Sequence, residues 1–235
     1  MDKNDYKVEI LEQDGGKFDL TYKIIIIGDS GVGKSCLAIR GIKNTFDALY
    51  KPTIGFEFMT SYAKIDKKII KLQIWDTCGQ EVYRSLIRSF YNNASLAIIV
   101  YSIDNENSFN NLGYWLNEIR SKANPDINII LIGNKSDLEN ERKITKDLGQ
   151  DLCDSNGLNL FIETSAKTGF NVTQLFMEAT KLLYEEHIKY ENRYTTNSYS
   201  FEKEIYNNNN DINNKMRSLS IENDEESEKR KRGCC

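Results

Sequence analysis

Eight residues near the start of the chain, GDSGVGKS from Gly28 to Ser35, carry the spacing G-x-x-x-x-G-K-S between the run TYKIIII and a helical pattern. Glycines in such a loop let backbone N–H groups wrap around phosphate oxygens. Lys34 then sets a cation against the outer phosphates, and the Ser35 hydroxyl suits a Mg²⁺ ligand. Ser30, Gly31, Val32, Gly33, Lys34, Ser35 and Cys36 form the candidate phosphate-binding set. The bland alternative is an accidental glycine turn, which chance produces in about one such chain in a hundred before the strand and helix context is counted. Alone, the loop points to a nucleoside triphosphate and is silent on base and reaction.

A second loop, WDTCGQE from Trp75 to Glu81, ends another apolar run. An aspartate there, Asp76, can hold Mg²⁺ through water, and the Gly79 N–H can meet a terminal phosphate. Gln80 can orient an attacking water, although an amide is too weak a base to deprotonate one. Read alone, D-T-x-G-Q has a hairpin turn as its lesser alternative, which the phosphate loop upstream weakens further.

The third segment, NKSD from Asn134 to Asp137, follows the buried pattern INIILIG. A carboxylate such as Asp137 accepts together from N1–H and the exocyclic amine of guanine, a donor pair that adenine lacks. A site built to satisfy such a group rejects the wrong base by ~10⁴ or more. The fourth, ETSAK from Glu163 to Lys167, also follows a strand pattern. A backbone N–H near Ala166, between the further candidates Ser165 and Lys167, is expected to reach guanine O6.

The elements that must hold these loops alternate along the chain. Strands are predicted over Tyr22–Ile27, Phe56–Ile65, Ile69–Trp75, Leu96–Tyr101, Ile127–Ile132 and Leu160–Glu163, and helices beginning near Lys34, Ser85, Ser108, Thr145 and Asn171. A hairpin at Asp66 and Lys67 joins two strands; helices separate the others, which makes them parallel. The expected fold is α/β: a mostly parallel six-stranded sheet with one antiparallel strand and helices on both faces, with the ligand at the carboxyl ends of the strands. The domain is expected over residues 20–188. Residues 1–19 are expected as a flexible arm, and 189–235, with the tract Asn207 to Asn210, as a disordered tail.

Composition excludes other chemistries. The chain has 235 residues, of which 40 % are hydrophobic and 28 % charged, and no apolar run approaches the ~20 residues of a membrane span. The first residues lack the basic start and apolar stretch of a secretory signal, so a cytosolic protein is expected. Five cysteines without a CxxC pair and a single histidine, His187, argue against a metal cage or a histidine-dependent triad. A net charge of -4 gives no reason to expect nucleic acid.

In their order and spacing over residues 20–188 the four segments resemble the Ras-type small GTPases. KPTIGFEF, KLQIWDT, QEVYRSLIRSFY and the terminal CC resemble the Rab branch most closely. The resemblance implies GTP or GDP as the bound nucleotide with Mg²⁺ as cofactor. It implies that Thr53 in the first switch completes the Mg²⁺ shell with Ser35 and that Phe46 lies against the guanine ring. Asn134, Lys135 and Asp137 would hold the base, Gln80 would act in hydrolysis, and Phe58, Trp75 and Phe90 would meet effectors. For that trio the alternative is core filling beneath the switches. Cys234 and Cys235 would take two geranylgeranyl chains.

The implied partners are an exchange factor, a GAP, effectors, a GDP-dissociation inhibitor, a Rab escort protein and a geranylgeranyl transferase. The implied location is the cytoplasmic face of an intracellular membrane, lipid-anchored, with a cytosolic pool, in vesicle trafficking. Three segments depart from the pattern: Cys78 stands where alanine is usual, and FYNNA and VYSID replace YYRGA and VYDIT. No arginine between Lys51 and Phe58 can serve as a finger in cis, so unaided hydrolysis should run at ~10⁻⁴ to 10⁻³ per second. Two other classes compete: a P-loop ATPase or small-molecule kinase, which has no use for Asp137, and a nucleotide-binding module that never hydrolyses.

Overall fold

A computed structural model describes residues 6–11, 16–48, 53, 55–77 and 88–193. Strands are β1 (Val8–Leu11), β2 (Leu20–Ile27), β3 (Phe56–Ile65), β4 (Lys68–Thr77), β5 (Leu96–Ser102), β6 (Asn128–Asn134) and β7 (Leu160–Glu163). Helices are α1 (Lys34–Lys43), α2 (Arg88–Tyr91), α3 (Glu106–Asn110), α4 (Leu112–Lys122) and α5 (Lys146–Ser155). A further helix, α6, begins at residue 172.

The strands form one sheet in the order β1-β3-β4-β2-β5-β6-β7. β4, β2, β5, β6 and β7 run parallel, and β3 turns back against β4 through the Asp66 and Lys67 hairpin. The centre is fully covered: every residue of β5 is buried, as expected for a parallel strand sandwiched between helices. Successive residues of β2 serve opposite faces. Ile25 and Ile27 join the cluster with Leu112, Trp115, Leu116 and Ile119 of α4. On α1, Gly41 lies hard against Phe176 of α6, so those two helices pack on each other.

The count of strands differs from the six expected, because part of the arm is ordered. Val8–Leu11 pairs antiparallel with β3 in the register Val8↔Ile65 to Leu11↔Tyr62. Val8 is buried, and the Tyr6 ring meets Tyr184 edge-on at 5.2 Å. Four residues flanked by charge give no usable period, and their partner lies far along the chain. β1 runs in the same direction as β4, so β3 remains the one reversed strand.

The helix expected from Ser108 starts earlier and is broken. The Asn105 side chain accepts from Ser108 N–H and caps α3 at Glu106, and Asn111 separates α3 from α4. Thr145 caps α5 by accepting from Leu148 N–H. The helix expected near Ser85 falls partly on residues outside those described; α2 opens at Arg88.

The chain divides into two units, Met1–Glu185 and Glu186–Cys235. In the second unit, residues 186–193 are helical, with Glu186 paired to Lys189 at 3.2 Å and His187 facing Glu191 at 3.3 Å. Among the described residues no helix is long and apolar enough to cross a membrane.

Candidate nucleotide-binding site

The sheet order reverses at β2: the chain goes from β2 to its β4 side and then returns to its β5 side. In open α/β sheets this switch point, at the carboxyl ends of the strands, leaves a crevice. The Gly28–Ser35 loop leaves β2 there and enters α1 directly. Glycine is required twice. A Cβ on Gly28 would meet the Val100 carbonyl at 2.2 Å, and one on Gly33, whose φ is +94°, would meet the Asn134 amide at 2.5 Å.

Lys34 is buried, and its Nζ donates to the Gly28 and Asp29 carbonyls at 2.9 and 2.7 Å. The ammonium is thus held inside the loop. No side chain caps α1, and its first turn carries no acid. The N–H groups of its first turn and the helix dipole make this end receptive to an anion. Val32 is fully buried, whereas Ser30 and Gly31 are exposed. Burial, with Asp76 and Asp47 adding, pushes the Cys36 thiol up, which leaves its backbone as the useful part of that residue.

Three oxygens meet beside the loop. Ser35 Oγ lies 2.6 Å from Thr53 Oγ1 and donates to Asp76 Oδ2. Asp76 is fully buried, and among the described residues its Oδ1 has no hydrogen-bond partner. An orphaned carboxylate oxygen beside two hydroxyls fits a hard cation such as Mg²⁺. Burial pushes the Asp76 carboxyl up from 3.8 to about 6, against the pull of the Ser35 hydrogen bond and Lys34. An ion that needs the carboxylate must therefore compete with a proton below that range. Titration of Mg²⁺ into GDP-loaded protein is expected to show up to about tenfold weaker binding at about pH 5 than at about pH 7. Equal affinities would remove Asp76 from the ion's shell.

The base end is knitted by Asn134, which is 1 % exposed. Its Nδ2 donates to the Val32 carbonyl at 2.8 Å, tying this segment to the phosphate loop. Its Oδ1 accepts from Thr164 Oγ1 at 3.2 Å and from Ala166 N–H at 3.3 Å. The N–H expected to reach O6 thus has a long, replaceable partner. Asp137 Oδ1 accepts from Ser165 Oγ at 2.6 Å, and Lys167 Nζ lies 3.7 Å from Oδ2. Lys135 takes a left-handed backbone, φ +63°, and approaches Asp104 at 3.8 Å. Phe46 stands exposed near the end of α1.

Phe58, Trp75 and Phe90 do come together: the Trp75 ring lies 5.1 Å from Phe58 and 5.7 Å from Phe90. Phe58 is 47 % exposed and Trp75 half-buried, but Phe90 is only 8 % exposed and belongs to the core cluster. Core filling, the alternative weighed for that trio, describes Phe90. An aromatic not singled out in the sequence, Phe56, is as exposed as Phe58 and stacks on Trp75 at 5.4 Å.

Asp29, Asn111 and Trp115 were also not visible as functional. Asn111 Nδ2 and Trp115 Nε1 donate to the two carboxylate oxygens of Asp29 at 2.7 and 2.8 Å. The clamp fixes the backbone whose carbonyl holds Lys34. Trp115 reads in sequence as an ordinary apolar position of α4, and no spacing rule links it to the loop. Cys78, Gly79, Gln80, Cys234 and Cys235 lie outside the described residues.

A phosphate loop at the sheet's switch point, a hydroxyl and carboxylate cluster beside its lysine, and two loops cross-linked to each other and tied to it through Asn134 form one nucleotide site. A family model described as the Ras family matches residues 23–185, which contain all of these segments. The chain therefore belongs to the Ras family of small GTPases, switches that bind guanine nucleotides and hydrolyse GTP.

Proposed function

We propose that this chain is a Rab-branch switch that acts in vesicle trafficking from the cytoplasmic face of an intracellular membrane. The segments KPTIGFEF, KLQIWDT and QEVYRSLIRSFY and the terminal CC support the branch. The observation that carries the switch itself is the position of Thr53, whose hydroxyl stands 2.6 Å from Ser35 Oγ, beside Asp76. A segment held at the phosphate end through such contacts is released when the terminal phosphate leaves.

Ser35, Thr53 and Asp76 would hold Mg²⁺, which supplies charge neutralisation to the phosphates when bound. Lys34 holds a fixed positive charge toward the same oxygens. Gln80 orients the attacking water, and Gly79 offers its N–H to the terminal phosphate. Asn134, Lys135, Asp137 and the Ser165 to Lys167 loop take guanine, with Phe46 on its face. Phe58 and Trp75, joined by Phe56, give the effector surface an apolar centre. A GAP accelerates the slow hydrolysis, an exchange factor resets it, and a GDP-dissociation inhibitor maintains the cytosolic pool.

Two measurements test this. Escort protein and geranylgeranyl transferase should add two lipids to the purified chain, read as a mass increase; failure to modify it would sink the Rab assignment. Gln80→Leu should slow intrinsic single-turnover hydrolysis at least about tenfold. Identical rates for the two proteins would take Gln80 out of the reaction.

A further inference from the structure

Arg40 sits in the last turn of α1, and its guanidinium faces two stretches of chain at once. Nε donates to the Ala166 carbonyl at 2.8 Å and Nη2 to the Lys167 carbonyl at 2.6 Å. On its other side Nη1 donates to the Asn44 carbonyl at 3.0 Å. Asn44 closes α1 in a left-handed conformation, φ +51°, with its own N–H on the Arg40 carbonyl. Two residues later comes Phe46. The aliphatic stem also packs toward Gly169, where a Cβ would lie 3.8 Å from Arg40 Cδ.

We propose that Arg40 is the positioning residue of the guanine pocket. One planar cation braces the Ser165 to Lys167 loop on one side and the turn leading to Phe46 on the other. It is carried on the same helix whose first turn receives the phosphates. Binding of the base then requires little ordering of either wall, and preorganisation of this kind raises affinity by lowering that cost. The shape of the group matters. A guanidinium fork reaches three carbonyls in one plane, whereas a lysine ammonium is a single point that cannot span them. The inference rests on the reading that Ala166 and Phe46 flank guanine.

A merely structural role is also available to Arg40, since a cation in the last turn of a helix suits the helix dipole. The two roles separate by base. GDP depends on both the phosphate loop and the base pocket, while ADP competes through the phosphate loop with little help from the pocket. Dissociation of fluorescent GDP and millimolar ADP competition are measured on wild type, Arg40→Ala and Arg40→Lys, each checked for native circular dichroism.

Arg40→Ala is expected to release GDP about ten- to hundredfold faster, the range for loss of charge-assisted hydrogen bonds. ADP affinity is expected to stay as in wild type, so the GDP to ADP preference falls by the same factor. Arg40→Lys should recover only part of it, and it carries the test should the alanine variant not fold. Unchanged GDP release, or equal losses for GDP and ADP, would overturn the proposal. A wild type that binds ADP as tightly as GDP would overturn the guanine reading itself and the proposal with it, and that failure is visible before any variant is made.

Discussion

Asp137→Asn is expected to lower GTP affinity about a thousandfold and to create affinity for XTP, a loss of roughly 4 kcal/mol at the base. The carboxylate presents two acceptors to N1–H and the exocyclic amine. An amide turns one of them into a donor, which faces the guanine amine badly and the xanthine O2 well. The surroundings sharpen the effect. Ser165 Oγ holds Asp137 Oδ1 at 2.6 Å, and the side chain is 13 % exposed, so the variant cannot swing into water to escape the mismatch. Competition titrations with GTP and XTP give the answer, and an unchanged GTP affinity would dismiss Asp137 as the base reader.

Changing Cys234 and Cys235 together to serine is expected to move the protein from membrane to cytosol without altering nucleotide binding. A single lipid chain holds a protein only marginally, and two hold it stably, at about 0.8 kcal/mol per buried CH₂. Electrostatics cannot substitute. Lys229 to Arg232 contribute four positive charges, but Glu222, Asp224, Glu225, Glu226 and Glu228 contribute five negative ones, which leaves one net negative charge. Neutralising the basic run alone should therefore weaken binding less than removing the thiols. Fractionation of cells expressing each variant decides, and retention of the double serine form on membranes would point to an anchor other than lipid.

Most of the sheet was legible because parallel strands covered on both faces must be apolar at nearly every position, as β5, most of β6 and the second half of β2 are. The loops were legible because a strand that ends in a glycine-rich turn before a helix announces where phosphate can bind. β1 was not, since Val8–Leu11 owes its conformation to Tyr62–Ile65, and a long-range pairing leaves no local period. The same reason hides Arg40 and the Asn111 and Trp115 clamp on Asp29. A side chain that bonds a carbonyl more than a hundred residues away carries no signal in its neighbours. The break at Asn111 was missed because a short helix and its successor share one continuous apolar pattern.

The Trp115 contact with Asp29 also gives the molecule a native optical probe. Indole emission shifts with the polarity around the ring and with the hydrogen bond made by its N–H. That N–H ends on the second residue of the phosphate loop, so entry or loss of a triphosphate is expected to change the emission of this indole. The chain's other tryptophan, Trp75, lies among Phe56, Phe58 and Phe90 and directly precedes Asp76 in the chain. Replacing Trp75 with phenylalanine leaves Trp115 as the single indole fluorophore, so that the arrival of nucleotide can be timed without attaching a dye.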